Sequence, residues 1–236
     1  MREPWNLERK WRGSPANYDP AVTSQYHFAP KIEILDTTLR DGEQQPSLFI
    51  SPKDRIRLVK QLDAIGIQRI EAGNPSISKQ DADSVKAICD LGLKAKIYVF
   101  CRAMAADAKL AKDCGVDGVL MEIPSSEHLL KYGKRWSVEK AIQAAIEGTR
   151  AAKEQGLLVS FFPADSSRAE IPYLLDMIDQ VKTQGAMDSL VLVDTFGCYT
   201  PMAAAYTVRR IKERFPTLPV EAHFHEDYDM GVANTI

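Results

Sequence analysis

The sequence predicts an α/β protein, a (β/α)8 TIM-type barrel that lacks its eighth unit in this chain. Three observations carry that expectation. From residue 32 onward, short β-rich apolar runs alternate with amphipathic helical stretches at about 25–40 residues per cycle, the pattern of a parallel sheet with crossover helices. Arg40, Asp41, Glu71, Arg102, Asp165, Thr195, His223 and His225 all fall at or just after the C-terminal ends of the predicted strands, and a barrel gathers those ends around one mouth. An open doubly wound sheet would usually bring a glycine-rich phosphate loop, and none follows the first strand.

The elements follow in order. The first strand is Ile32-Glu33-Ile34-Leu35. Its helix opens at Ser51-Pro52, a good N-cap followed by a proline suited to the first helical position, and closes at Gly66. The second strand is Arg69-Ile70-Glu71-Ala72-Gly73, with a helix over 79–91 ending at Gly92. The third covers 96–100 and its helix runs to Gly115. The fourth covers 118–123. A long connection over 124–136 precedes a helix over 138–155, which Gly156 stops. The fifth strand covers 157–162, with a helix ending at Gly185. The sixth covers 190–194, with a helix over 201–214. The seventh, Val220-Glu221-Ala222-His223-Phe224-His225, leads into 231–236, the start of another helix. Seven strands leave two sheet edges unpaired. Either the chain is a fragment of a longer protein or something else closes the sheet.

Residues 1–31 form no repeat unit. They carry Trp5, Trp11, Tyr18, Tyr26, Phe28 and several prolines, and read either as an arm packing on the barrel or a partner, or as a partly ordered tail. The barrel is assigned to 32–236. At 45% hydrophobic and 26% charged, the composition supports one sizeable core. A net charge of -2 gives no global basic field for nucleic acid. No apolar run approaches the roughly 20 residues of a membrane span, and the N-terminus lacks a signal-peptide core. Cys89, Cys101, Cys114 and Cys198 are scattered without a C-x-x-C pair and read as reduced thiols of a cytoplasmic protein.

The chemistry concentrates in two segments. In His223-Phe224-His225 the period of a strand turns both imidazoles to one face, where they can hold one divalent ion. Taken alone, such a pair is as often core or surface histidine. Asp41 on the adjoining side of a closed barrel would complete the site. Arg40, beside it, is placed to stabilise an oxyanion, although Arg40-Asp41-Gly42 also reads as a turn with a surface ion pair. Gly42 is expected to let the backbone turn tightly beside a ligand. Glu71 is either a structural buried carboxylate or the group that orients Arg40. Ser125, Ser126 and His128, followed by Lys131, Lys134 and Arg135, form either a solvated loop or a lip for an anionic co-substrate. Thr195 either binds a substrate carboxylate or caps its turn.

From about Ile32 onward the chain resembles the metal-dependent Claisen-condensing and lyase barrels: 2-isopropylmalate, homocitrate and citramalate synthases, with hydroxymethylglutaryl-CoA lyase as a cousin. The matching pieces are Asp36-Thr37-Thr38-Leu39-Arg40-Asp41-Gly42-Glu43-Gln44, Ile70-Glu71-Ala72-Gly73-Asn74-Pro75, Ser125-Ser126-Glu127-His128, Asp194-Thr195-Phe196-Gly197 with Thr200-Pro201, and His223-Phe224-His225. The resemblance implies that Asp41, His223 and His225 bind a divalent metal, Mg, Mn or Zn. Arg40 would stabilise the enolate or alkoxide with Glu71 holding it, and Gln44, Thr195 and His128 would contact substrate. It implies an acyltransferase of amino-acid biosynthesis that condenses acetyl-CoA with a 2-oxo acid, and a homodimer. A carbon–carbon lyase, and a catalytically silent partial barrel that acts in binding, are the alternative readings. The chain departs from the family pattern where Glu226 replaces the usual Asn, adding charge beside the metal. The eighth strand, the synthases' C-terminal region and the lyase's cysteine loop are absent from it.

Overall fold

A computed structural model of the chain describes residues 6–7, 11–25 and 29–236. Trp5, Tyr26 and Phe28 lie outside the described residues. The chain divides into two compact units, Met1–Glu33 and Ile34–Ile236. In the first, β1 (Asn6–Leu7) pairs antiparallel with β2 (Trp11–Arg12). A 3-10 turn then leads to α1 (Pro20–Thr23), whose first turn is capped by the Asp19 carboxylate accepting from Ala21 N–H.

The second unit is a seven-stranded, all-parallel sheet in sequence order: β3 (Leu35–Asp36), β4 (Arg69–Glu71), β5 (Lys96–Arg102), β6 (Gly118–Pro124), β7 (Leu158–Ala164), β8 (Ser189–Asp194) and β9 (Val220–Phe224). Between them run α2 (Pro52–Ala64), α3 (Lys79–Cys89), α4 (Ala105–Cys114), α5 (Val138–Glu154), α6 (Ile171–Gln184) and α7 (Pro201–Arg214), and α8 (Gly231–Thr235) follows β9. Sequential parallel pairing of this kind is the order of a barrel with one unit missing. The helices start where their caps dictate: Ser51, Ser78, Ser137 and Thr200 each accept a backbone N–H three residues on.

Strand alternation sorts the side chains. Val119, Met121 and Ile123 of β6 face the helices, in the two large clusters that bury the outer face of the sheet. Leu120 faces inward, with Tyr98, Phe162, Val191 and Val193. Low in this interior the Arg69 guanidinium of β4 reaches Glu221 of β9 at 2.9 Å, and Ser160 and Ser189 donate to the same carboxylate oxygen. That pair joins strands that are not neighbours in the sheet, so the sheet is curled and its two ends face each other.

Two expectations are corrected. The first strand is not 32–35 but Leu35–Asp36. Ile32 and Ile34 are 68% and 56% exposed; the ladder to β4 begins only at Leu35 opposite Arg69, and the Ile34 N–H goes to the Gln68 side chain instead of a strand partner. The connection after β6 is not all loop: Leu129–Lys134 winds as one wide helical turn.

Candidate active site at the mouth of the curled sheet

The loop after β3 wraps around a single carbonyl. The N–H groups of Arg40, Asp41 and Gly42 all donate to Thr37 O, at 3.0, 2.9 and 3.2 Å. Asp36 braces the same turn by accepting from Thr38 N–H. Arg55 of α2 fastens the loop from behind, donating to Leu39 and Ala72 carbonyls and pairing with Glu43. Gly42 keeps an ordinary backbone angle, and a Cβ there would meet nothing nearer than 3.8 Å, so the turn does not demand glycine.

This wrapping buries Arg40, only 7% exposed, beneath the mouth. Its Nε donates to Glu71 Oε1 and its Nη1 to Asp41 Oδ1, both at 2.7 Å. The guanidinium lies 5.0 Å from the Phe100 ring and 5.8 Å from the Phe162 ring, favourable cation–π distances. Its Nη2 is buried without a partner, as is Glu71 Oε2. Burial pushes the Glu71 carboxyl up to about 7 against the pull of Arg40.

His223 Nε2 and His225 Nε2 stand 3.3 Å apart, and Asp41 Oδ2 lies 3.9 and 3.6 Å from them. Two nitrogens each about 2.1 Å from one ion and roughly 105° apart would be separated by that same distance. The Asp41 oxygen is a few tenths of an ångström wide of it, within reach of a small side-chain rotation. Burial, and then Arg40, pulls His223 down to about 4, so near neutral pH its imidazole is uncharged and can offer a lone pair. No other group of three potential ligands occurs among the described residues. The donor set, two imidazoles and one carboxylate, therefore fits a divalent ion.

The structure thus brings together Arg40, Asp41, Glu71, His223 and His225. Thr195 sits at the end of β8, where its hydroxyl accepts the Asp165 N–H at 2.8 Å and keeps its own proton to donate. Gln44 and His128 are exposed, and neither joins the cluster by a hydrogen bond; the His128 ring packs on Tyr132. Glu226 does not add charge at the ligands. Its carboxylate turns away to accept the Gly231 and Val232 N–H groups that open α8. Ser125 and Ser126 are fully buried and hold backbone and Asp165 rather than forming a lip. Arg168 is engaged by Asp165 and stacks over Phe196. The Asp194 carboxylate takes the Cys198 and Tyr199 N–H groups, and a Cβ on Gly197 would stand 3.0 Å from the Asp227 nitrogen and His225 carbonyl. The Asp194-Thr195-Phe196-Gly197 segment is therefore largely a turn that backs the histidine strand. Sequence reasoning missed Arg55, and missed Phe100 and Phe162 as the cradle of Arg40. Their inward positions in period-two strands were the available signal.

The HMGL-like family model matches residues 31–236. The (R)-citramalate synthase CimA of Methanocaldococcus jannaschii is 36% identical over 204 residues, 86% of this chain and 41% of that protein. The homocitrate synthase AksA of the same organism is 36% identical over 231 residues, 98% of this chain and 55% of that one. The chain thus spans about half the length of the curated relatives it matches. Among solved structures, the Bacillus subtilis HMG-CoA lyase superposes with a TM-score of 0.78 at 19% identity, covering 88% of this chain and 72% of that one, a likeness of fold.

Proposed function

The chain belongs to the HMGL-like family, and we propose that it is the barrel portion of a divalent-metal-dependent synthase that condenses acetyl-CoA with a 2-oxo acid. One observation carries the reading: three ligand atoms from Asp41, His223 and His225 lie within 4.8 Å of one another, beside a buried arginine whose Nη2 is unbonded. The names of the sequence relatives, citramalate and homocitrate synthases, support condensation over cleavage.

Asp41, His223 and His225 would hold Mg, Mn or Zn. When bound there, such an ion supplies Lewis-acid polarisation of the substrate ketone. Arg40 keeps its Nη2 free of protein partners, and that group stabilises negative charge as it develops on the ketone oxygen. Glu71 fixes the guanidinium by its bond to Nε, and Phe100 and Phe162 exclude water around it. Thr195 donates its hydroxyl proton to the 2-oxo acid carboxylate. Gln44 and His128 stand on the outer rim, where the thioester co-substrate enters. In the reaction a methyl proton leaves the acetyl group, and the enolate carbon bonds to the ketone carbon. The resulting alkoxide takes a proton, and water cleaves the thioester to release the CoA thiol.

The test is thiol release from acetyl-CoA across a panel of 2-oxo acids, with added divalent metal and a chelator control. Chelator-sensitive release that depends on one acid is expected. No release with any acid would overturn the synthase reading and favour a lyase, or a barrel that acts by binding through its open edges.

A further inference from the structure

Beyond the polar groups already described, β6 places one more carboxylate on the interior wall. On β6 the residues alternate strictly: Val119, Met121 and Ile123 pack outward, and Leu120 packs inward. Glu122 therefore shares the inward face. Its register partners are Phe162 on β7 and Arg102 on β5. Phe162 is the ring that lies 5.2 Å from the His223 ring and 5.8 Å from the Arg40 guanidinium. Glu122 thus lies two strands from β4 and three from β9, paired in register with the ring that reaches both Arg40 and His223.

Its carboxylate accepts no hydrogen bond and forms no ion pair among the described residues. Arg102 is engaged instead by Asp107, at 2.8 and 2.9 Å. Lys134 and Arg102 act on Glu122 only from a distance, and burial still holds its carboxyl above the usual range. Glu122 is partly exposed, so its inward-facing carboxylate is held by no protein group and is open to a ligand that displaces its water. A perturbed, unpaired titratable group in a cleft is the mark of a ligand contact. A purely aliphatic substrate side chain would leave this carboxylate desolvated and unpaired. A second substrate carboxylate would meet like charge.

We propose that Glu122 determines the substrate class of the site: it receives the side chain of the bound 2-oxo acid and selects one ending in a hydrogen-bond donor, a hydroxyl or an amide. This rests on the 2-oxo acid reading of the site and names the kind of acid.

The experiment is calorimetric titration of the 236-residue chain, saturated with Mn2+, with matched pairs of acids. 3-Hydroxypyruvate against 2-oxobutanoate exchanges a hydroxyl for a methyl at constant shape, and 2-oxoglutarate supplies a second carboxylate. The wild-type chain is expected to favour the hydroxylated acid by roughly 10- to 100-fold, the worth of a hydrogen bond to a charged group. Glu122→Leu should reverse that ratio, and Glu122→Gln should admit the dicarboxylic acid. Each ratio is taken within one variant, so a general loss of folded protein does not mimic it. Equal affinities in the wild type, or a ratio unchanged in Glu122→Leu, overturn the proposal. Arg40→Ala should weaken all the acids together and leave their ratio alone. Failure of every acid to bind the metal-saturated wild type would overturn the 2-oxo acid reading itself.

Discussion

Two polar layers cross the interior of the curled sheet, and β4 and β9 contribute to both. The lower layer joins Arg69 of β4 to Glu221 of β9, with Ser160 and Ser189 donating to the same oxygen. Two residues further along each strand stand Glu71 and His223, members of the upper layer with Arg40, Asp41 and His225. The lower groups turn on one another. The upper ones leave Arg40 Nη2 and Glu71 Oε2 buried and unbonded, and set two imidazole nitrogens 3.3 Å apart. The donor set separates a brace from a site: the lower layer matches one guanidinium to one carboxylate, whereas the upper one converges two imidazole nitrogens and a carboxylate oxygen on a single point.

That contrast can be broken experimentally. The largest effect should come from His223→Ala, which removes one of three ligands. Metal affinity by calorimetry should fall by more than about 100-fold, beyond what outer partners cost; wild-type affinity would remove His223 from the ligand set. Glu221→Ala acts on the brace and strands Arg69. Chemical denaturation should show a loss of about 3–5 kcal/mol, the cost of breaking a buried pair, with metal affinity much less affected than in His223→Ala. If metal binding collapses while stability holds, the two layers have been assigned the wrong way round.

Arg40→Ala should lower turnover by about 10²- to 10³-fold, the loss typical of a missing oxyanion donor, while the metal titration stays close to wild type. Undiminished turnover would refute its role. Glu71→Gln tests the upper layer by pH. Since burial lifts Glu71 from 4.5 to about 7, the folded protein keeps that proton over a range where the unfolded chain has lost it. Its contribution to stability is therefore lost as pH rises from about 4.5 through 7. In chelator, the wild-type minus Glu71→Gln difference in unfolding free energy should decline across that window; a flat difference would mean that Arg40 outweighs burial. Smallest is Ser51→Ala, at neither layer. Loss of this cap should cost about 1 kcal/mol in stability and leave metal affinity where it was.

Much of the architecture was legible because it is local. Alternation, glycine stops and serine caps located the strands from Arg69 onward and most of the helices to within a few residues. The barrel and the family were readable from the polar residues at strand ends and from the Arg40-Asp41 and His223-Phe224-His225 segments. What escaped depends on what lies opposite. Ile32 and Ile34 look like strand residues until the ladder to β4 is seen to begin at Leu35, with the Ile34 N–H taken by a side chain. Glu226 looks like charge beside a metal until its carboxylate is found capping α8. Glu221 gave no sign of its role, because its partner Arg69 is 152 residues away. A strand pattern says which way a side chain points but not what it meets.

The sheet's strict sequential pairing has a consequence for timing. Each strand after β3 joins the one synthesised just before it, so the structure can accrete in the order the ribosome delivers it, with little search for distant partners. The ligand set is divided across that schedule: Asp41 emerges with the first strand of the sheet, His223 and His225 with the last. A growing chain offers an ion one carboxylate and no imidazole cluster until β9 docks. Tight capture of the metal would then wait until β9 docks, and a sheet built only as far as β8 would have no means of being trapped by it.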